Sequence, residues 1–182
     1  RITEDYDKRD KKAKTVTYLN YYAAQYHYMR SFFPKNGIPG QYMAAANHYR
    51  KEIQQNWQKG NRMAKGMIAL ALHRTGDKQN AQSILKSLEE TSIKNEELGM
   101  YWKDNTSRYY WQDAPIETQA LLIEAFSEIG GNTKTTGLLK AWLLKNKQTN
   151  HWQSTKATAD ACYALLLSGN GWLKAEPKIT VS

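Results

Sequence analysis

Two short constellations in this chain carry side chains that could do chemistry. Asp160 and Cys162 are separated by one residue, and a carboxylate and a thiolate at that spacing can both reach one zinc ion. Zinc needs at least a third protein ligand, and the four histidines, His27, His48, His73 and His151, all precede Cys162. The simpler reading makes Cys162 a small buried hydrophobe among Ala161, Tyr163 and Leu165. The second constellation is acidic. Asp104, Asp113 and Glu117 lie around an aromatic-rich stretch that holds Tyr101, Trp102, Tyr109, Tyr110 and Trp111. Paired acids beside stacking rings suit a carbohydrate-active enzyme, in which one acid protonates the leaving oxygen and the other works on the opposite face of the sugar. The simpler reading puts Glu117 in a helix's first turn, where its charge meets the dipole, and makes Asp113 a cap ahead of Pro115. No Ser–His–Asp order is present, and Gly37-Ile38-Pro39-Gly40 reads as a turn rather than a phosphate cradle.

These residues sit on or beside a helix that occurs three times. Asn61–Gly76, Pro115–Gly130 and Ser154–Gly169 are each sixteen residues long, and they recur at offsets of 54 and 39 residues. Each opens with a helix-start signal, turns almost wholly apolar, and stops at a glycine. A helix apolar nearly all round must be buried. Met67, Leu122 and Leu165 should then gather toward a common centre.

Amphipathic helices fall between them. Thr15–Phe33 places Leu19, Tyr22, Ala23, Tyr26, Met29 and Phe33 on one stripe, and Gln41–Lys59 does the same with Tyr42, Ala46, Tyr49, Ile53 and Trp57. Asp77 caps a helix to about Lys94 with Ala81, Ile84, Leu85 and Leu88 facing in. Asn95–Ala114 reads as irregular, and Asn132–Lys147 as half-apolar through Leu138, Leu139, Trp142 and Leu143. An inner ring wrapped by an outer ring satisfies this alternation, so the expected fold is all-α, an α/α toroid, with a short strand at the C-terminus. Seven helices are little more than half of a six-pair ring, so residues 1–175 read as one toroid domain incomplete on its amino-terminal side. Residues 176–182 read as a strand leading to a neighbouring β-domain. A straight solenoid is the alternative architecture.

The chain has 182 residues and a net charge of +9, enough length for one domain with a real core. Residues 1–60 hold 11 Lys or Arg against 5 Asp or Glu, which would suit an anionic partner. The dense run Lys8–Lys14, however, lacks interleaved aromatics, and the other cations are spaced singly as on a solvated face, so no nucleic-acid partner is expected. No apolar stretch reaches the roughly 18 residues of a membrane span. A lone cysteine excludes an internal disulfide. The start at Arg1 reads as a fragment of something longer.

Several segments resemble a known family. Trp142-Leu143-Leu144-Lys145-Asn146-Lys147 followed by Trp152-Gln153-Ser154-Thr155-Lys156-Ala157-Thr158-Ala159-Asp160-Ala161 is similar to a pattern of the alpha-2-macroglobulin family, where a Trp-Leu helix leads through a short loop to an S-T-Q-D-T-like helix start. Asp113-Ala114-Pro115-Ile116-Glu117-Thr118 is also similar, and Tyr101-Trp102-Lys103-Asp104 resembles the bacterial branch. The likeness covers about residues 60–175 well and the first sixty weakly. It implies part of a thioester-type α/α toroid domain from a protease-trapping endopeptidase inhibitor of the bacterial cell envelope, periplasmic or extracellular. In that family, cleavage of a bait segment lets an internal Cys–Gln thioester acylate the prey. This chain departs from the pattern in two ways: the C-G-E-Q motif is absent, and Lys156 stands where the family often has Gln. The resemblance therefore implies a non-catalytic piece with no cofactor. Its partners would be other domains of the same polypeptide and, through the full-length protein, target proteases.

Two alternatives stay open. The Asp160–Cys162 pair is similar to the zinc ligands of protein prenyltransferase β-subunits, which share the toroid architecture. A carbohydrate-active (α/α) barrel would use Glu117 with Asp113 or Asp104. Trp102, Trp111 and Trp152 precede inner helices on one rim, where they either plug the rim or offer an interface.

Overall fold

Asparagines and one aspartate start most of the helices. The side chain of Asn20 accepts the Tyr22 N–H at 3.0 Å, Asn61 accepts from Ala64 at 2.9 Å, and Asp77 accepts from Asn80 at 3.2 Å. The structure is a computed structural model that describes residues 19–106, 114–147 and 152–167. It is mostly helical, with seven α-helices and one pair of short strands among the described residues. They form two compact units: one from residues 19–92 with 128–130, the other from the described residues between 93 and 127 and between 131 and 167.

The first unit holds α1 (Tyr21–Ser31), α2 (Gly40–Asn56, continued by a 3-10 turn at Trp57–Lys59), α3 (Arg62–Arg74) and α4 (Lys78–Glu90). Helix α3 is the axis of its core. Ala64, Gly66, Met67, Ile68, Ala69, Leu70, Ala71 and Leu72 are all buried, so no face of its central turns meets water. Helix α4 buries only the single stripe Ala81, Ile84, Leu85 and Leu88. Helix α1 lies along α3 in the same direction. At one end the Tyr21 hydroxyl donates to Met63 Sδ at 3.0 Å, and at the other Arg74 Nη1 donates to Ser31 Oγ at 3.3 Å. Helices next but one in sequence are therefore spatial neighbours, and α2 is the return between them. Arg74 also makes a bidentate pair with Glu128 at 2.6 to 3.2 Å and lies 4.4 Å above the Phe32 ring.

The face that α1 buries differs from the expected stripe. Ala23, Ala24 and Ser31 are buried, while Tyr22, Met29 and Phe33 are 60%, 55% and 52% exposed. Small side chains let the two helix axes approach closely, and that packing outweighs the size of the apolar residues opposite. On α2, Ala46, Tyr49 and Ile53 are buried as expected, but Tyr42 protrudes near the first turn. Glu52 joins the buried face, where it accepts the Asn20 backbone N–H at 2.5 Å and so closes the start of α1.

The second unit holds β1 (Ile93–Asn95), β2 (Gly99–Tyr101), α5 (Pro115–Ala125), α6 (Thr133–Lys145) and α7 (Thr155–Leu166). The strands pair antiparallel, Ile93 opposite Tyr101 and Asn95 opposite Gly99, within a segment read from sequence as helix end and irregular chain. The turn is closed by Asn95, whose Oδ1 accepts the N–H groups of Glu97 at 2.8 Å and Leu98 at 2.7 Å. Pro115 opens α5 at its first position, where a missing N–H costs nothing. A π-helical turn at Phe126–Gly130 ends it, and Gly131 follows at φ +59°. Helix α5 is buried on all sides through Ile116, Gln119, Ala120, Leu122, Ile123 and Ala125.

Helix α7 corrects the expectation of a third fully buried helix. It packs on α5 through Ala157, Ala161 and Ala164, while Tyr163 and Leu166 are exposed and Leu165 is half-buried. Cys162 is exposed as well, not the buried hydrophobe expected of it, because the buried stripe of three alanines leaves position 162 on the outer side. The expected strand at 176–182 lies outside the described residues, as does the basic run at Lys8–Lys14. No described helix is long and apolar enough to cross a membrane.

Candidate functional site

In the second unit the hairpin, α5 and α6 converge, and some of the residues singled out by the sequence lie beside that junction. Gln119 ties these elements together. Fully buried on α5, it donates from Nε2 to the Met100 carbonyl at 2.9 Å and the Leu139 carbonyl at 3.1 Å. Gly99 lets the hairpin approach α6. At φ +84°, an added Cβ there would collide with the Leu138 carbonyl and the Trp142 backbone nitrogen. Beyond the turn, Asn105 Nδ2 donates to the Pro115 carbonyl at 3.1 Å and so fixes the approach to α5.

Trp102 and Trp152 are both buried in this assembly, at 1% and 4% exposure. Trp152 donates from Nε1 to the Leu143 carbonyl at 3.3 Å, and the Lys147 ammonium lies 5.8 Å from its ring centroid. Both rings are therefore turned inward, where they close the packing between loop and helix ends. The aromatic contact nearer the surface is one that sequence reasoning missed: Tyr101 stacks on Trp142 at 6.3 Å between centroids, with an interplanar angle of 17°. Trp111 and Asp113 lie outside the described residues.

Of the other carboxylates, Glu117 is half-buried in the first turn of α5, and Asp104 is exposed in the turn after Trp102. The position of Glu117 places its charge at the positive end of the helix dipole. Asp160 pairs with Lys156 at 2.5 Å, one turn away on α7. Among the described residues, no group of three or more His, Cys, Asp or Glu side chains could hold a metal, so Asp160 and Cys162 find no third ligand there.

Three titratable groups elsewhere are perturbed by burial. Burial, aided by the Arg50 charge, pushes the His27 imidazole down from 6.5 to about 4, and its Nε2 finds no hydrogen-bond partner. Burial raises the Tyr21 hydroxyl to about 12. Burial also lowers the Lys140 ammonium, which donates to the Leu165 carbonyl at 3.0 Å and satisfies one of the last carbonyls of α7. His27 has a consequence for stability. It stays neutral in the folded chain and takes a proton when unfolded below pH 6.5, so its contribution is intact above that value and is lost as pH falls toward 4. The full loss is about 3 kcal/mol. His27→Leu should flatten the stability profile across this window in urea titrations. An unchanged profile would show that other groups carry the acid sensitivity.

Clefts among the described residues include the following two. One, of about 430 Å³, runs along α6 past Thr133, Thr136, Gly137 and Lys140. The other, of about 380 Å³, lies between α1 and α2 beside the Gly37–Pro39 connection. No protein-family model, curated protein or solved structure matches this chain.

Proposed function

We propose that this chain is a non-catalytic arc of an α/α toroid, the thioester-type domain of a bacterial alpha-2-macroglobulin-like protease trap in the cell envelope. One observation carries the reading. Helices next but one in sequence pack side by side, α1 on α3 and α5 on α7, and the two central members, α3 and α5, are buried all round. The helices between them bury one face only, α4 through Ile84 and Leu88, α6 through Leu139 and Leu143. An inner layer wrapped by an outer layer is one arrangement that buries α3 and α5 in this way, while α1 and α7 keep an exposed face. The burial of Trp102 and Trp152 supports a structural role for the loop ends.

In this reading the chain rests on sister domains of the same polypeptide and moves with them when the trap closes. This chain has no C-G-E-Q motif and so contributes no thioester of its own. The decisive experiment uses the full-length parent and an endopeptidase. Inhibition of cleavage of a large protein substrate, with cleavage of a small chromogenic peptide retained, is the expected pattern of a cage. Equal inhibition of both substrates, or of neither, refutes it.

A further inference from the structure

We propose that the cleft between α1 and α2 is a docking site for an acidic peptide segment that inserts one bulky apolar side chain. The cleft holds about 380 Å³ and is lined by Tyr26, Ile38, Pro39, Tyr42 and Tyr49, with Arg30 in its wall. That size falls within the range of recognition pockets, and an apolar lining with one cation fixes both the anchor and its orientation. Exposed apolar residues are frequent in the elements that form the cleft. Met29 lies on α1 beside Arg30, Phe33 follows that helix, and Tyr42 and Met43 stand near the start of α2; these four are between 42% and 55% exposed. Exposed apolar residues collected around a concavity mark a contact site, whereas the same residues scattered singly would not.

Charge selects the occupant. Residues 19–60 carry five cations, Arg30, Lys35, Arg50, Lys51 and Lys59, and a single carboxylate, Glu52. Glu52 is 1% exposed and accepts the Asn20 N–H, so these residues present positive charge and no carboxylate to the surface. Arg30 donates to the Asn36 backbone carbonyl, which holds its guanidinium without neutralising it, whereas Arg50 donates to the Thr75 carbonyl at 3.2 Å and also acts on the Asp77 carboxylate. A segment with an aromatic or leucine anchor between carboxylates matches both features: the anchor fills the cleft and the acids meet Arg30 and Lys35. A second copy of the same face would bring like charges together. A bilayer would lie across the rim and leave the concavity empty.

The test uses the full chain and fluorescence anisotropy of a short labelled peptide with a central phenylalanine flanked by glutamates. Binding in the micromolar range is expected, weakening as salt is added. Replacing the glutamates by glutamines, or the phenylalanine by alanine, should each loosen it roughly tenfold. Tyr42→Ala and Lys35→Glu in the protein should do likewise. Lys35 is exposed on the connection between the helices, so its variant keeps the fold, which circular dichroism can verify. No binding overturns the proposal, and so does equal affinity for the glutamine peptide or indifference to both variants. Self-association that Tyr42→Ala abolishes, without peptide binding, would assign the face to a second copy. Binding to phosphatidylserine vesicles alone would assign it to a membrane surface. Either result would also overturn the peptide site. The outcome does not depend on whether the parent protein is a protease trap.

Discussion

Gly99→Ala is expected to cost about 3 kcal/mol or more, a large effect for a single added methyl group. Two causes combine. The backbone there sits at φ +84°, a region that side chains avoid, and the new Cβ would meet backbone atoms of Leu138 and Trp142 that cannot swing away. Relief would require the hairpin to withdraw from α6, which breaks the Gln119 bond to Met100 as well. Gly76 supplies the control. Its φ of +93° is equally unfavourable, but nothing lies within 4 Å of a Cβ built there, so Gly76→Ala should cost only about 1 kcal/mol. Urea unfolding of the two variants separates strain from collision. Similar losses would mean that the hairpin does not press on α6 as described.

Truncation of the two all-round-buried helices is the second large effect. Leu70→Ala on α3 and Leu122→Ala on α5 should each cost about 3 kcal/mol, since both side chains are fully buried and their cavities have no free side to collapse from. Leu166→Ala on α7 removes the same atoms from a side chain that is 62% exposed, and should change stability by no more than about 0.5 kcal/mol. Thermal melts of the three variants read this contrast directly. A loss at Leu166 as large as the others would mean that α7 has a covered outer face in solution.

The sequence made the skeleton of the fold legible because its strongest signals are local. Asn61, Asp77, Pro115 and Ser154 all stand where helices begin, and the all-round apolar content of α3 and α5 required the burial that the structure has. Periodicity failed where packing chose between competing faces. On α1 the largest apolar residues lie opposite the buried alanines, and on α7 the alanine stripe leaves Cys162, Tyr163 and Leu166 outside. The hairpin at Ile93–Tyr101 was hidden because its strands are only three residues each and its key residue, Gly99, matters through contact with a distant helix. Of the candidate site, the position of Trp102 and Trp152 outside the helices was readable, while the inward turn of the rings depends on tertiary contacts. The α1–α2 cleft was not readable at all. Its walls come from two helices and a turn that looks like simple punctuation in one dimension.

The side-by-side run of α1 and α3 bears on how the chain acquires its structure. Partners separated by one intervening helix meet after closing only a short loop, so little entropy opposes each docking step. Assembly can start at any such neighbourhood and spread outward by accretion, as in linear arrays. A nascent chain leaving the ribosome would thus organise its first helical pairs before the last ones are synthesised.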